Sequence, residues 1–268
     1  MPAIQLSKLN KDLADIFAYY YETDVIVDKI STLYEYYANY SLKPNTESTL
    51  LKDILAYSTP PLLTNQILIS LKPQIFKYPD QAQVIIESLW HKKILDIKLL
   101  SMKLLCTLSE KYPNGAISTI GKWCHPMLER YFVHLVFSNA AVHLIRSNSD
   151  VWTQQMVTWL SGVSVEEQTI GILAANASAQ EPEFINLPPI FDNITNHCLI
   201  GHPQYFFDLQ SLLTLLARRS PNETMYFIRH LVGLGMTEMT HKLLRKVIQT
   251  YPKEDQNKIT NLLKSALP

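Results

Sequence analysis

Apolar residues recur at three- and four-residue intervals along nearly the whole chain, and almost no segment alternates as a strand would. "SKLNKDLADIFAYYYE" sets Leu9, Leu13, Ile16 and Phe17 on one stripe, with Ser7 in a capping position. "NTESTLLKDILAYS" predicts a helix with Leu50, Leu51, Ile54 and Leu55 on its apolar face. "LLTNQILISLKPQIFKY" runs to a turn at "YPD", "DQAQVIIESLWHK" starts on Asp80 as a potential cap, and "KILDIKLLSMKLLCTLSEKY" stops at the breaker "PNG". In "SNSDVWTQQMVTWL" the cap falls to Ser149 or Asp150. Ser164 and Glu167 in "SVEEQTIGILAANASA" have capping-box spacing, and "AQEPEFINLPPI" is the most loop-like stretch of the chain.

The pattern predicts a dozen or more helices of about 10 to 20 residues joined by short turns. Helix pairs recur about every 35 to 45 residues, the period of HEAT or armadillo-type repeats. The expected fold is all-α: a right-handed α-α superhelix, or solenoid, with a concave groove, formed by residues 1–268 as a single domain. A compact irregular helical domain is the alternative. Seven glycines and fifteen prolines suit this reading, since glycine serves turns and proline separates helices.

Charge adds a pattern that the net value of zero hides. Residues 1–90 carry seven basic and ten acidic side chains, 91–146 eight and three, 147–217 none and seven, and 218–268 nine and four. Two basic segments flank an acidic one. If folding gathers the basic segments, a positive face results; otherwise the charges cover solvated faces.

Several chemistries lose support. No run of 18 apolar residues is present, so no transmembrane helix is expected, and the amino terminus lacks the layout of a signal peptide. Three scattered cysteines, Cys106, Cys124 and Cys198, point to reduced thiols in a cytoplasmic protein. There is no phosphate-binding glycine loop, nucleophile elbow or His-Glu-x-x-His sequence. "HCLIGH" brings His197, Cys198 and His202 close in sequence without the further ligands zinc wants, so neither a metal nor a cofactor is expected. Tyr19, Tyr20, Tyr21, Tyr34, Tyr36, Tyr37 and Tyr40 read as the cap of a helical stack, rings inward and hydroxyls in water. Trp90, Trp123, Trp152 and Trp159 read either as core or as a pocket holding an extruded base.

Two stretches carry a resemblance. "SNSDVWTQQMVTWL" and "HPQYFFDLQSLLTLLARRSPNETMYFIRHL" are similar to segments of the HEAT-like-repeat alkylpurine DNA glycosylase family, the DNA alkylation repair fold. The two stretches make up about a sixth of the chain. It implies DNA as the partner and base excision as the ancestral activity. The chain departs from the family where activity resides. Gln155 stands where the family has a DNA-gripping Arg, Thr214 where it has a pocket Trp, and Met127 where it has a catalytic Asp. Asp96, six residues after Trp90, is the one candidate for a catalytic carboxylate.

The expected function is therefore DNA binding with reduced or no base excision. Trp152 and Gln155 would lie on the concave side, and Lys92, Lys93, Arg218, Arg219, Arg229, Lys242, Arg245 and Lys246 would contact phosphates. The alternatives are a non-enzymatic scaffold with a protein partner in the concave groove, favoured by the acidic 147–217 segment, and an active glycosylase with an atypical pocket. A monomer is expected, with no membrane partner.

Overall fold

The computed structural model describes residues 4–39, 54–125, 127–235 and 237–265. Among them are fifteen α-helices and no strand; the sole bridge pairs Leu55 with Ile94. No described helix is long and apolar enough to cross a membrane. The chain forms two compact units, one of residues 1–120 with 139–144 and the other of residues 121–138 with 145–268.

The first unit holds α1 (Leu6–Phe17), α2 (Thr23–Tyr36), α3 (Pro61–Lys77), α4 (Pro79–Trp90), α5 (Leu95–Ser109) and most of α6 (Pro113–Trp123). Its centre is α5, packed on α4, α3 and α2. The wide buried face of α5, including Ile97, Leu100, Met102, Leu104, Leu105 and Leu108, is what a helix covered from several sides needs.

The second unit holds α7 (Arg130–Asn139, less its last residue), α9 (Ser149–Leu160), α10 (Val165–Gln180), α11 (Pro188–Ile200), α12 (Phe206–Arg219), α13 (Pro221–Leu234), α14 (Glu238–Ile248) and α15 (Lys253–Ser265). Short α8 (Val142–Ser147) contributes to both units. Here α10 is central, lying against α9 and α12, and is buried all round from Thr169 to Ala175. Gly171 makes the close approach to α9 feasible: a Cβ there would stand 2.5 Å from the Leu160 backbone nitrogen. Gly201, at a left-handed φ of 60°, ends α11.

The helix starts obey some local signals and not others. The capping box forms: the Glu167 amide donates to Ser164 Oγ (3.1 Å) and the Ser164 amide to Glu167 Oε2 (3.2 Å). Ser7 and Asp80 do not cap their helices, and neither Ser149 nor Asp150 caps α9, whose N-cap is Asn148. Instead α3, α4, α6, α11 and α13 each begin at a proline, whose fixed φ and missing N–H suit a first helical turn. α5 stops ahead of "PNG", as expected, and the same three residues open α6.

The helix expected over 45–58 falls largely outside the described residues, but its end is not helical. Leu55 donates its amide to the Lys93 carbonyl (3.1 Å) and accepts from Leu95 (2.8 Å), and its side chain is exposed. The tyrosine expectation also changes. Tyr20, Tyr34 and Tyr37 are buried; Tyr34 Oη lies 2.8 Å from Thr64 Oγ1, and Tyr20 donates to the Tyr78 carbonyl rather than to water. Tyr19, Tyr21 and Tyr36 are exposed, and Tyr40 lies outside the described residues.

Candidate functional site

The tryptophans of α9 face inward. Trp152 is 0% exposed and Trp159 is buried, and the two rings meet edge to face with centroids 6.0 Å apart. Phe137 of α7 completes the cluster, 5.4 Å from Trp152 and 5.6 Å from Trp159. The Trp152 indole N–H donates to Ser178 Oγ (2.7 Å) on α10, and that hydroxyl donates to the Ala174 carbonyl (2.9 Å). The rings fill one another's space and the polar atoms are satisfied internally, so this cluster is core and not a base-binding surface. Trp90 and Trp123 are buried as well, with Lys98 Nζ 4.3 Å from the Trp90 ring centre. Gln155, half-buried, places its side chain near Gly121. Thr214 is half-buried on α12, and Met127 is exposed.

Asp96 is engaged in structure. Its Oδ2 accepts from the Tyr57 amide (2.8 Å), and its Oδ1 accepts from the amide (3.0 Å) and hydroxyl (2.8 Å) of Thr59. A carboxylate in the first turn of α5 thereby fixes the strand-like segment that leads into α3.

Arg219 is also committed. Its guanidinium donates to the carbonyls of Ser178 (3.2 Å), Ala179 (3.0 Å), Glu181 (2.7 Å), Pro182 (3.0 Å) and Phe184. These are the orphan acceptors at the end of α10 and the loop beyond it, where a planar cation with five donors is well matched. Glu181 meets Arg146 at 2.9 Å. Lys92 reaches Asp28 at 2.8 Å, whereas the Lys93 side chain is exposed.

The "HCLIGH" residues part company. His197 is buried, its Nε2 2.9 Å from the Leu160 carbonyl; since a carbonyl only accepts, Nε2 carries the proton. Nδ1 lies 3.4 Å from Tyr205 Oη, so it accepts from that hydroxyl. Burial holds the imidazole below its ordinary pKa, although the Leu160 carbonyl opposes this. Cys198 is buried and its thiol is pushed up by desolvation. No cluster of three or more metal-ligating side chains exists among the described residues.

Among the described residues of the second unit, a cationic helix face and a groove are exposed to solvent. On α14 the apolar residues Leu243, Leu244, Val247 and Ile248 face the core, and Lys242, Arg245 and Lys246 point outward. Lys242 pairs with Glu238 (2.7 Å); among the described residues no ion pair holds Arg245 or Lys246. Arg218 and Arg229 are exposed on α12 and α13 of the same unit. The other surface is a groove of about 840 Å³ between α11 and α13, lined by Phe191, Phe227, Tyr226, Asp192, Glu223 and His230 among others. Sequence reasoning missed this groove.

No known family matches the chain, nor does any curated protein or any solved structure.

Proposed function

We propose that the chain is a HEAT-like helical-repeat protein that binds DNA without excising bases. The observation that carries this reading is the outward row Lys242, Arg245 and Lys246 on α14, supplemented by Arg218 and Arg229. Cations on a rigid helix face release counterions when they meet phosphates, which gives affinity without sequence readout. The loss of excision is supported by the engagements already described. Trp152 and Trp159 are core, and Asp96 spends its oxygens on Tyr57 and Thr59. Within each unit, helices pack on partners one to three places away in the chain, the short-range pattern that stacked helical repeats produce.

Titration of plain, alkylated and branched duplexes tests the reading, followed by a base-release assay on the alkylated one. Binding to all three with no free base is expected. Absence of binding at low salt overturns the DNA assignment, and released base overturns the loss of excision.

A second reading, a non-enzymatic protein scaffold, is favoured by the acidic lining of the α11/α13 groove, which repels phosphate.

A further inference from the structure

The groove between α11 and α13 is built along the two helices. On α11 it is lined by Pro188, Phe191, Asp192, Thr195 and Asn196, and on α13 by residues 222, 223, 226, 227 and 230. Each set spans two helical turns, so the groove runs for about 12 Å at 1.5 Å per residue. That length receives two successive turns of a third helix, whose anchors recur at three- and four-residue intervals.

Its chemistry selects the partner's charge. The floor is aromatic: Phe191 and Phe227 sit with centroids 5.3 Å apart at 48°, and Tyr226, also lining the groove, is 74% exposed. Asp192 and Glu223 are exposed on opposite walls, and among the described residues no Lys or Arg lines the groove. Glu223 already accepts from Ser220 Oγ (2.6 Å), which fixes its side chain at the start of α13. Carboxylates on both walls and ring faces between them attract cations, by Coulomb attraction and by cation–π contact.

We propose that this groove docks a basic amphipathic helix of a partner protein. Its Leu or Phe anchors would lie on Phe191 and Phe227, and its Lys or Arg side chains would reach Asp192 and Glu223. This goes beyond the DNA reading, because the cations assigned to phosphates lie on other side chains.

The test uses the full chain and two fluorescein-labelled 15-residue amphipathic peptides with identical Leu and Phe positions, one bearing Lys and Arg, the other Glu. Anisotropy titrations are expected to show at least about tenfold tighter binding of the basic peptide. The double variant Asp192→Asn/Glu223→Gln, and separately Tyr226→Ala, are expected to weaken that binding about tenfold, with the melting temperature unchanged for Tyr226→Ala. The triple change Lys242→Gln/Arg245→Gln/Lys246→Gln leaves it unaltered, so failure here and failure of DNA binding are told apart. Equal affinity for both peptides, or groove variants that bind like the parent, overturns the proposal. So does self-association abolished by Tyr226→Ala, which would make a second copy the occupant.

Discussion

The indole Nε1 of Trp152 lies 2.7 Å from the Ser178 hydroxyl, joining α9 to α10 inside the aromatic cluster of Phe137 and Trp159. Deleting that acceptor strands a buried N–H. Ser178→Ala should therefore destabilise the protein by about 1–3 kcal/mol, beyond the small loss of packing. Urea denaturation reads this directly, and a change within error would mean that the indole finds another acceptor.

Asp96 gives a second contrast between structure and chemistry. Asp96→Asn keeps the shape but turns an amide donor toward the N–H groups of Tyr57 or Thr59. A loss of about 1.5–3 kcal/mol is expected, the range of hydrogen bonds to a charged group, with DNA affinity unchanged. Loss of a DNA-directed activity at full stability would restore Asp96 as a catalytic residue.

Gly171 sets the spacing of α9 and α10. The methyl of Gly171→Ala would meet the Leu160 nitrogen at 2.5 Å and its Cα at 2.8 Å, and backbone cannot swing aside as a side chain does. Overpacking of this kind costs about 1–3 kcal/mol, outweighing the better helix propensity of alanine. Calorimetry should show a lowered melting temperature; a raised one would contradict the close approach of the two helices.

Much of this architecture is legible in sequence, because the determinants are local. The 3.6-residue period marks the helices, and Ser164 with Glu167 reveals the start of α10 three residues apart. What fails depends on partners remote in the chain. Leu50 to Leu55 has helical spacing, but the end of that segment is held by Leu95 and Asp96, some forty residues on. The seven-residue interval between Trp152 and Trp159 looks the same in a core as in a pocket; Phe137 and Ser178 decide. Arg219 shows its charge in sequence but not that Ser178 to Phe184 absorb it. The groove left a faint signal, an aromatic–acid pair at Phe191 and Asp192 facing Glu223 and Tyr226, legible only once α11 and α13 are adjacent.

His197 makes stability depend on pH. Its folded pKa lies below the ordinary histidine value because burial disfavours the imidazolium. Below that ordinary value, near 6.5, the unfolded chain takes up the proton first, so stability falls as pH drops from about 6.5 through the folded pKa. His197→Gln should flatten this part of the profile in denaturation measured between pH 5 and 7.5. An unchanged slope would assign the dependence to another group.

The most direct measurement is the salt dependence of duplex binding by the parent chain and by the Lys242→Gln/Arg245→Gln/Lys246→Gln variant. If α14 grips phosphates, the parent's log affinity falls steeply with log salt, and the variant's slope is shallower by about 0.9 for each phosphate that α14 no longer neutralises. Parallel slopes, or no binding by the parent at low salt, would contradict the account.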